Sequence, residues 1–298
     1  MRAAPLLSPH DLATLQQLVL RRNTTQRASG AAPHAGALPT HHRGLGMELF
    51  ESRPYRAGDD PRHVDWRATA RHGRPITKVF RAERQRANFI VVDRSVSMAF
   101  GTRRQLKATL AAHVGAILLF SALADHETVG GLILSARPEI FLGGRSLDTT
   151  MPILRALSAA LPLTDTVATP LDERTWTTLL QATTAGTHVY VISDFQHFVP
   201  ASARTLAQLA ATRAVTALLV VDPAEQELPD VGWLRIASPI AGVGGVINTH
   251  DATLRARYAE HRALERTVLL RTLRDAGVDT HVLSTTTDAL SQLRVLPL

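Results

Sequence analysis

The spacing of apolar residues changes several times along the chain, and each change marks an element. Residues 8–22 put Leu12, Leu15, Leu18 and Val19 on one face behind Ser8, a capping residue, which predicts a short amphipathic helix. From 23 to 42 the pattern gives way to Thr, Ala, Gly, Pro and His, the composition of a mobile linker. Asp65-Trp66 with Ala68, Thr69 and Ala70 suggests a short helical piece, and residues 76–81 alternate as a strand does. Phe89, Ile90, Val91 and Val92 form an unbroken apolar run, which suits a strand buried on both faces. A helix is expected from about 105 to 124, where Leu106, Leu110, Val114, Ile117, Leu118 and Leu123 recur at helical spacing.

The alternation continues. Residues 128–134 and 139–142 read as a hairpin, and 147–160 as a helix striped by Leu147, Met151, Leu154 and Leu157. After a Thr-rich loop at 163–173 come strands at 188–194 and 214–221, then a hairpin inserted within 223–248. Leu254, Tyr258, Leu264, Val268 and Leu273 define a long helix stopped at Gly277, followed by a strand at 278–284 and a helix at 288–296. Strands alternating with helices predict an α/β fold with a doubly wound, mostly parallel sheet. The chain then divides into a helix with linker (1–42), an Arg/Asp-rich block (43–86) and an α/β domain (87–298).

Composition narrows the class. Hydrophobic content of 45% with 20% charge is globular, and 298 residues suffice for a sizeable core. With no cysteine, disulfides, zinc-thiolate sites and thiol catalysis are excluded. Pro5, Pro9, His10 and Asp11 interrupt any apolar leader, and the most apolar segment, 108–124, contains His113 and is short for a span. The expectation is a cytoplasmic protein. Residues 1–110 carry 19 Lys+Arg against 8 Asp+Glu, whereas 111–298 carry 14 against 18, and only Lys78 and Lys107 are lysines. An arginine-rich front half could meet nucleic acid or an acidic protein surface; arginine-favouring codons and structural ion pairs explain it as well.

Chemistry concentrates at two places. Asp93-x-Ser95-x-Ser97 ends the buried strand, and in open α/β sheets ligands bind at the carboxyl ends of strands. One carboxylate and two hydroxyls on alternate residues offer only oxygen donors, as a hard cation such as Mg²⁺ requires, and leave it short of negative charge. The plain alternative is a serine-rich turn in which Ser97 or Thr102 caps the next helix. A second buried strand ends in Asp194. In the loop between, Thr164, Thr166 and Thr169 compete as a further donor; Thr169 before Pro170 also reads as a helix cap. The other place is the block around Arg53, Tyr55, Asp59, Asp60, Arg62, Asp65 and Trp66, where Gly58-Asp59-Asp60-Pro61 is a turn. Its mixed charges suit a structural brace or a protein-docking face, and its acids would repel phosphate. His34, His41 and His42 lie in the linker without carboxylates, and no Walker loop is present.

The segments Gly44-x-Gly46-Met47-Glu48, Tyr55-x-x-Gly58-Asp59-Asp60-Pro61-Arg62 and Asp65-Trp66-x-Ala68-Thr69-Ala70-Arg71 closely resemble the bacterial family called domain of unknown function 58. The resemblance covers roughly residues 40–298. It implies a von Willebrand factor A-like domain with strand order 3-2-1-4-5-6 and one antiparallel edge strand. It also implies a metal-ion-dependent adhesion motif holding Mg²⁺ (or Mn²⁺ or Ca²⁺) through Asp93, Ser95, Ser97, Thr169 and Asp194, the last often through water. Larger relatives can carry transmembrane helices near the N-terminus, and no such stretch is found in this sequence. Family members often accompany MoxR-type AAA+ ATPases. The implied function is a metal-dependent protein-interaction module, an adaptor whose metal accepts an acidic residue of such a partner. The alternatives are a metal-dependent phosphatase or hydrolase, disfavoured because Ser95 stands where a second acid is needed, and nucleic-acid binding through the arginine-rich front.

Overall fold

The computed structural model describes residues 5–28, 47–56, 59–82, 86–161, 171–237 and 244–294. The chain divides into two units, residues 33–85 and the remainder. Helix α1 (Pro9–Ala28) belongs to the larger unit and buries Leu15 and Val19. Its start is closed reciprocally: Ser8 N–H donates to Asp11 Oδ2 (2.8 Å) and Asp11 N–H to Ser8 Oγ (3.1 Å). The helix runs on through 23–28, expected to be linker, because no glycine or proline stops it there. Residues 29–42 of that linker, with His34, His41 and His42, lie outside the described residues.

The smaller unit pairs β1 (Met47–Pro54) antiparallel with β2 (Ile76–Ala82), and α2 (Trp66–His72) lies between them in sequence. The β1 strand was not legible, since Glu48, Glu51, Arg53 and Pro54 leave it no apolar alternation. Helix α2 begins as expected: the Asp65 carboxylate accepts from the N–H groups of Arg67 (3.1 Å) and Ala68 (3.0 Å).

The larger unit continues with β3 (Ala87–Asp93), α3 (Lys107–Ala124), β4 (Thr128–Leu134), β5 (Glu139–Gly144), α4 (Leu147–Ser158), α5 (Glu173–Ala182), β6 (His188–Ser193), α6 (Ala203–Ala210) and β7 (Ala214–Val221). Then come α7 (Pro223–Gln226), the ribbon β8 (Trp233–Ala237) and β9 (Gly244–Asn248), α8 (Ala252–Asp275), β10 (Asp279–Ser284) and α9 (Ala289–Leu293). Six strands form one sheet in the order β10-β7-β6-β3-β4-β5, parallel except for the β5 edge. Counted along the chain, this is the order 3-2-1-4-5-6. Among the described residues β8 and β9 form a separate antiparallel two-stranded sheet within the 223–248 stretch.

Alternate strand residues feed two cores. Ile90, Val92, Ile192 and Leu218 pack with α1, α3, α4 and α9; Phe89, Val91, Val191 and Leu219 pack with α5, α6 and the last turns of α8. Covering both faces explains the unbroken apolar run in β3, where each buried large side chain contributes about 1.5–3 kcal/mol. Gly130 in β4 is required by close approach: a Cβ there would meet Phe89 Cδ2 at 2.8 Å.

Three expectations need correction. Helix α3 starts behind Leu106 with no side-chain cap, so neither Ser97 nor Thr102 caps it. Helix α5 starts at Glu173 behind Asp172, which accepts from the N–H groups of Arg174 and Thr175, so Pro170 is not its first residue. In α8 the expected stripe does not face a core: Leu264 and Val268 are 64% and 55% exposed, and Leu273 alone of the stripe is buried. Only the end of α8, with Leu269 and Leu270 partly covered, reaches the sheet.

Candidate functional site at the strand ends

Strands β3 and β6 are hydrogen-bonded neighbours, so their carboxyl ends bring Asp93 and Asp194 to one edge of the sheet. Asp93 is 2% exposed and lies in a cradle of donors: Ser95 N–H reaches Oδ1 at 2.8 Å and Ser193 Oγ reaches Oδ2 at 2.6 Å. Burial, and then the negative charge of Asp194, hold the Asp93 carboxyl above the usual carboxylate range. Ser95 and Ser97 are buried with it, and their hydroxyl oxygens stand 3.0 Å apart across the turn Val96–Ala99.

The donor set fits a hard cation. Adjacent ligands of an octahedral Mg²⁺, with bonds of about 2.0–2.1 Å, lie about 2.9–3.0 Å from one another. The two serine hydroxyls, hydrogen-bonded to one another, stand at that separation. Each Asp93 oxygen accepts a hydrogen bond, Oδ1 from Ser95 N–H and Oδ2 from the Ser193 hydroxyl. Among the described residues no three His, Cys, Asp or Glu side chains cluster as metal ligands, so a cation here depends on the hydroxyls. Thr164, Thr166 and Thr169 lie outside the described residues.

Asp194 is held by protein donors on both oxygens. Its Oδ2 accepts from Lys107 Nζ at 2.7 Å, and its Oδ1 from Gln196 N–H at 3.1 Å. The same ammonium donates to Glu225 Oε1 at 2.6 Å, where Gln196 Nε2 also donates at 2.7 Å. Lys107 is fully buried and lies 5.8 Å from the Phe100 ring centroid. The backbone at Phe195 has φ 54°, a left-handed conformation costly for an aromatic residue; Ser193 Oγ, accepting from Phe195 N–H at 2.9 Å, holds it. Sequence reasoning missed Lys107, Gln196 and Glu225. Lys107 had a signal, being one of only two lysines in the chain and standing at the head of its most apolar helix.

Inside the motif, Arg94 serves the fold. Its guanidinium donates to the carbonyl oxygens of Ala156 (2.6 Å), Ala159 (2.6 Å) and Ala160 (2.8 Å), closing the end of α4.

The front block is organised around its acids. Arg53 grips Asp59 through both nitrogens (2.9 and 2.8 Å), and Tyr55 Oη donates to the Asp59 carbonyl (3.0 Å). Asp60 caps the turn at Pro61–His63, and Asp65 caps α2 and pairs with Lys78 at 3.4 Å. Arg62 is exposed, and Trp66 is 72% exposed.

The fold and these strand ends define an α/β protein with a buried cluster of oxygen-bearing side chains at the carboxyl ends of the central strands of a doubly wound sheet. The chain belongs to the family described as "Protein of unknown function DUF58", which it matches over residues 51–268. Uncharacterized proteins of Mycobacterium tuberculosis and Mycobacterium bovis are each 30% identical to it over 265 residues, 87% of this chain and 80% of theirs. Among solved structures, a conserved hypothetical protein BatB from Bacteroides thetaiotaomicron is 15% identical, with a TM-score of 0.45 over 70% of this chain and 95% of that one.

Proposed function

We propose that this protein is a metal-dependent protein-interaction module built on a von Willebrand factor A-like domain, and that it works in the cytoplasm as an adaptor for a MoxR-type AAA+ ATPase. Asp93, Ser95 and Ser97 would hold Mg²⁺, or Mn²⁺ or Ca²⁺, with Asp194 and a threonine of the 164–169 loop supporting it. The ion supplies an open position for an Asp or Glu of the partner. The protein side presents too few charges to satisfy a dication alone, so the contact is directional and depends on the metal. The observation that carries this reading is the pair of serine oxygens 3.0 Å apart beside a buried, donor-cradled Asp93. Family membership and the 3-2-1-4-5-6 strand order support it. The one helix among the described residues long and apolar enough to cross a membrane is α3, and it lies largely buried against the sheet. Arg53, Tyr55, Arg62 and Trp66 would give the ATPase a second docking surface.

The test is calorimetric titration of Mg²⁺ and Mn²⁺ into chelator-stripped protein and into Asp93→Ala/Ser95→Ala, beside capture of the ATPase with and without chelator. Saturable binding lost in the double variant, with capture lost to chelator, is the expected result. Capture indifferent to both chelator and variant would sink the reading.

A further inference from the structure

Lys107 is the one basic side chain among the described residues with no exposed surface, and it holds two carboxylates at once. A buried ammonium costs several kcal/mol in lost hydration, so its place demands a reason. The surroundings fix it rigidly. Its stem begins α3, its Nζ lies between Asp194 Oδ2 and Glu225 Oε1, and Gln196 ties both acids from the other side. Two carboxylates and one ammonium leave a local charge of one negative unit, and Asp93 stands on the neighbouring strand end, tied by the Ser193 hydroxyl to the residue before Asp194.

Without the ammonium, Asp93, Asp194 and Glu225 would give three negative charges around the strand ends, more than enough to hold a dication with no partner present. With it, a dication entering beside Asp93 meets a fixed positive charge that already claims Asp194. We propose that Lys107 sets the cation affinity of the Asp93–Ser95–Ser97 site, acting as a tethered counter-ion that keeps divalent binding weak until an outside carboxylate joins. This rests on the metal-dependent reading above and deepens it, by giving the reason why the ion needs the partner. Lys107 is a positioning and affinity-setting residue; it touches the carboxylates, not the partner.

The experiment titrates Mg²⁺ into the chelator-stripped full chain and into Lys107→Met and Glu225→Gln, with melting curves in chelator and in Mg²⁺. Electrostatics requires an order: Lys107→Met binds Mg²⁺ at least about tenfold more tightly than the parent, and Glu225→Gln several-fold more weakly. Mg²⁺ raises the melting point of Lys107→Met more than that of the parent, and adding Asp93→Ala removes the gain. Measurable, equal affinities across the three proteins overturn the role of Lys107 and leave the metal reading intact. Should Lys107→Met fail to fold even in Mg²⁺, Glu225→Gln decides: an unchanged or tighter affinity overturns the proposal. Absence of Mg²⁺ binding in all three removes the metal reading, and this proposal with it.

Discussion

Two ion pairs of nearly equal length stand in the two units. Lys107–Asp194 measures 2.7 Å and Arg53–Asp59 2.8 Å. Their surroundings differ: the first pair is 0% and 2% exposed at its side chains, the second 29% and 18%. Water screens the Arg53 pair and would solvate either partner left alone, whereas nothing but protein could receive the charge of Asp194. The carboxyl groups register the contrast. The Arg53 guanidinium and the Arg56 N–H hold Asp59 below the usual carboxylate range, while burial and Asp194 push Asp93 above it. A short distance alone says little about consequence; burial decides what a charge does.

The largest expected effect follows directly. Lys107→Ala in metal-free protein leaves two carboxylates without their cation and should cost about 3–5 kcal/mol of unfolding free energy, measured by urea denaturation. Replacing the whole cluster, as Lys107→Met/Asp194→Asn/Glu225→Gln, should return most of that loss, because a buried pair is roughly balanced by neutral groups of similar shape. A triple variant as unstable as the single one would mean that stem packing, not charge, is what Lys107 supplies.

A half-buried neutral base in the same sheet sharpens the point. His188 donates to or accepts from Thr216 Oγ1 at 2.8 Å and stacks on Tyr190 at 4.0 Å, and burial lowers its pKa to about 4. The unfolded chain binds that proton near pH 6.5, so the folded state keeps its full advantage above 6.5 and loses it as pH falls towards 4. The loss amounts to at most about 3 kcal/mol. His188→Gln should flatten stability against pH across that window; an unaltered curve would place the acid sensitivity elsewhere.

What the sequence disclosed follows the same division between short-range pattern and long-range contact. β3, α3 and the 3-2-1-4-5-6 sheet were legible because period and strand-end chemistry are local, the sheet order being reached through the family resemblance. The turn Asp93–Ser97 was legible for the same reason. The Lys107–Asp194–Glu225 cluster was not, since its members lie far apart in the chain and meet only when β3, β6 and β7 are aligned. β1 was hidden by its charges, and α8 misled because its apolar residues extend past the sheet that a stripe implies. The hydroxyl of Ser193 joins Phe195 to Asp93, a contact that no local pattern announces.

The smallest stability effect belongs to the front block, and there the comparison separates function from folding. Trp66 opens α2 with 72% of its surface in water, while the cap beneath it is made by Asp65. Trp66→Ala removes apolar surface that the fold does not use, so unfolding free energy should move by no more than about 0.5 kcal/mol. If this face docks the ATPase, an exposed aromatic is the side chain expected to anchor it, and the same change should weaken capture by about tenfold or more. Arg62→Ala should act in the same direction through a rim charge, with a smaller effect that fades at high salt. Binding unchanged in Trp66→Ala, with stability also unchanged, would reduce the block to a brace and leave the strand-end site as the sole surface for the partner.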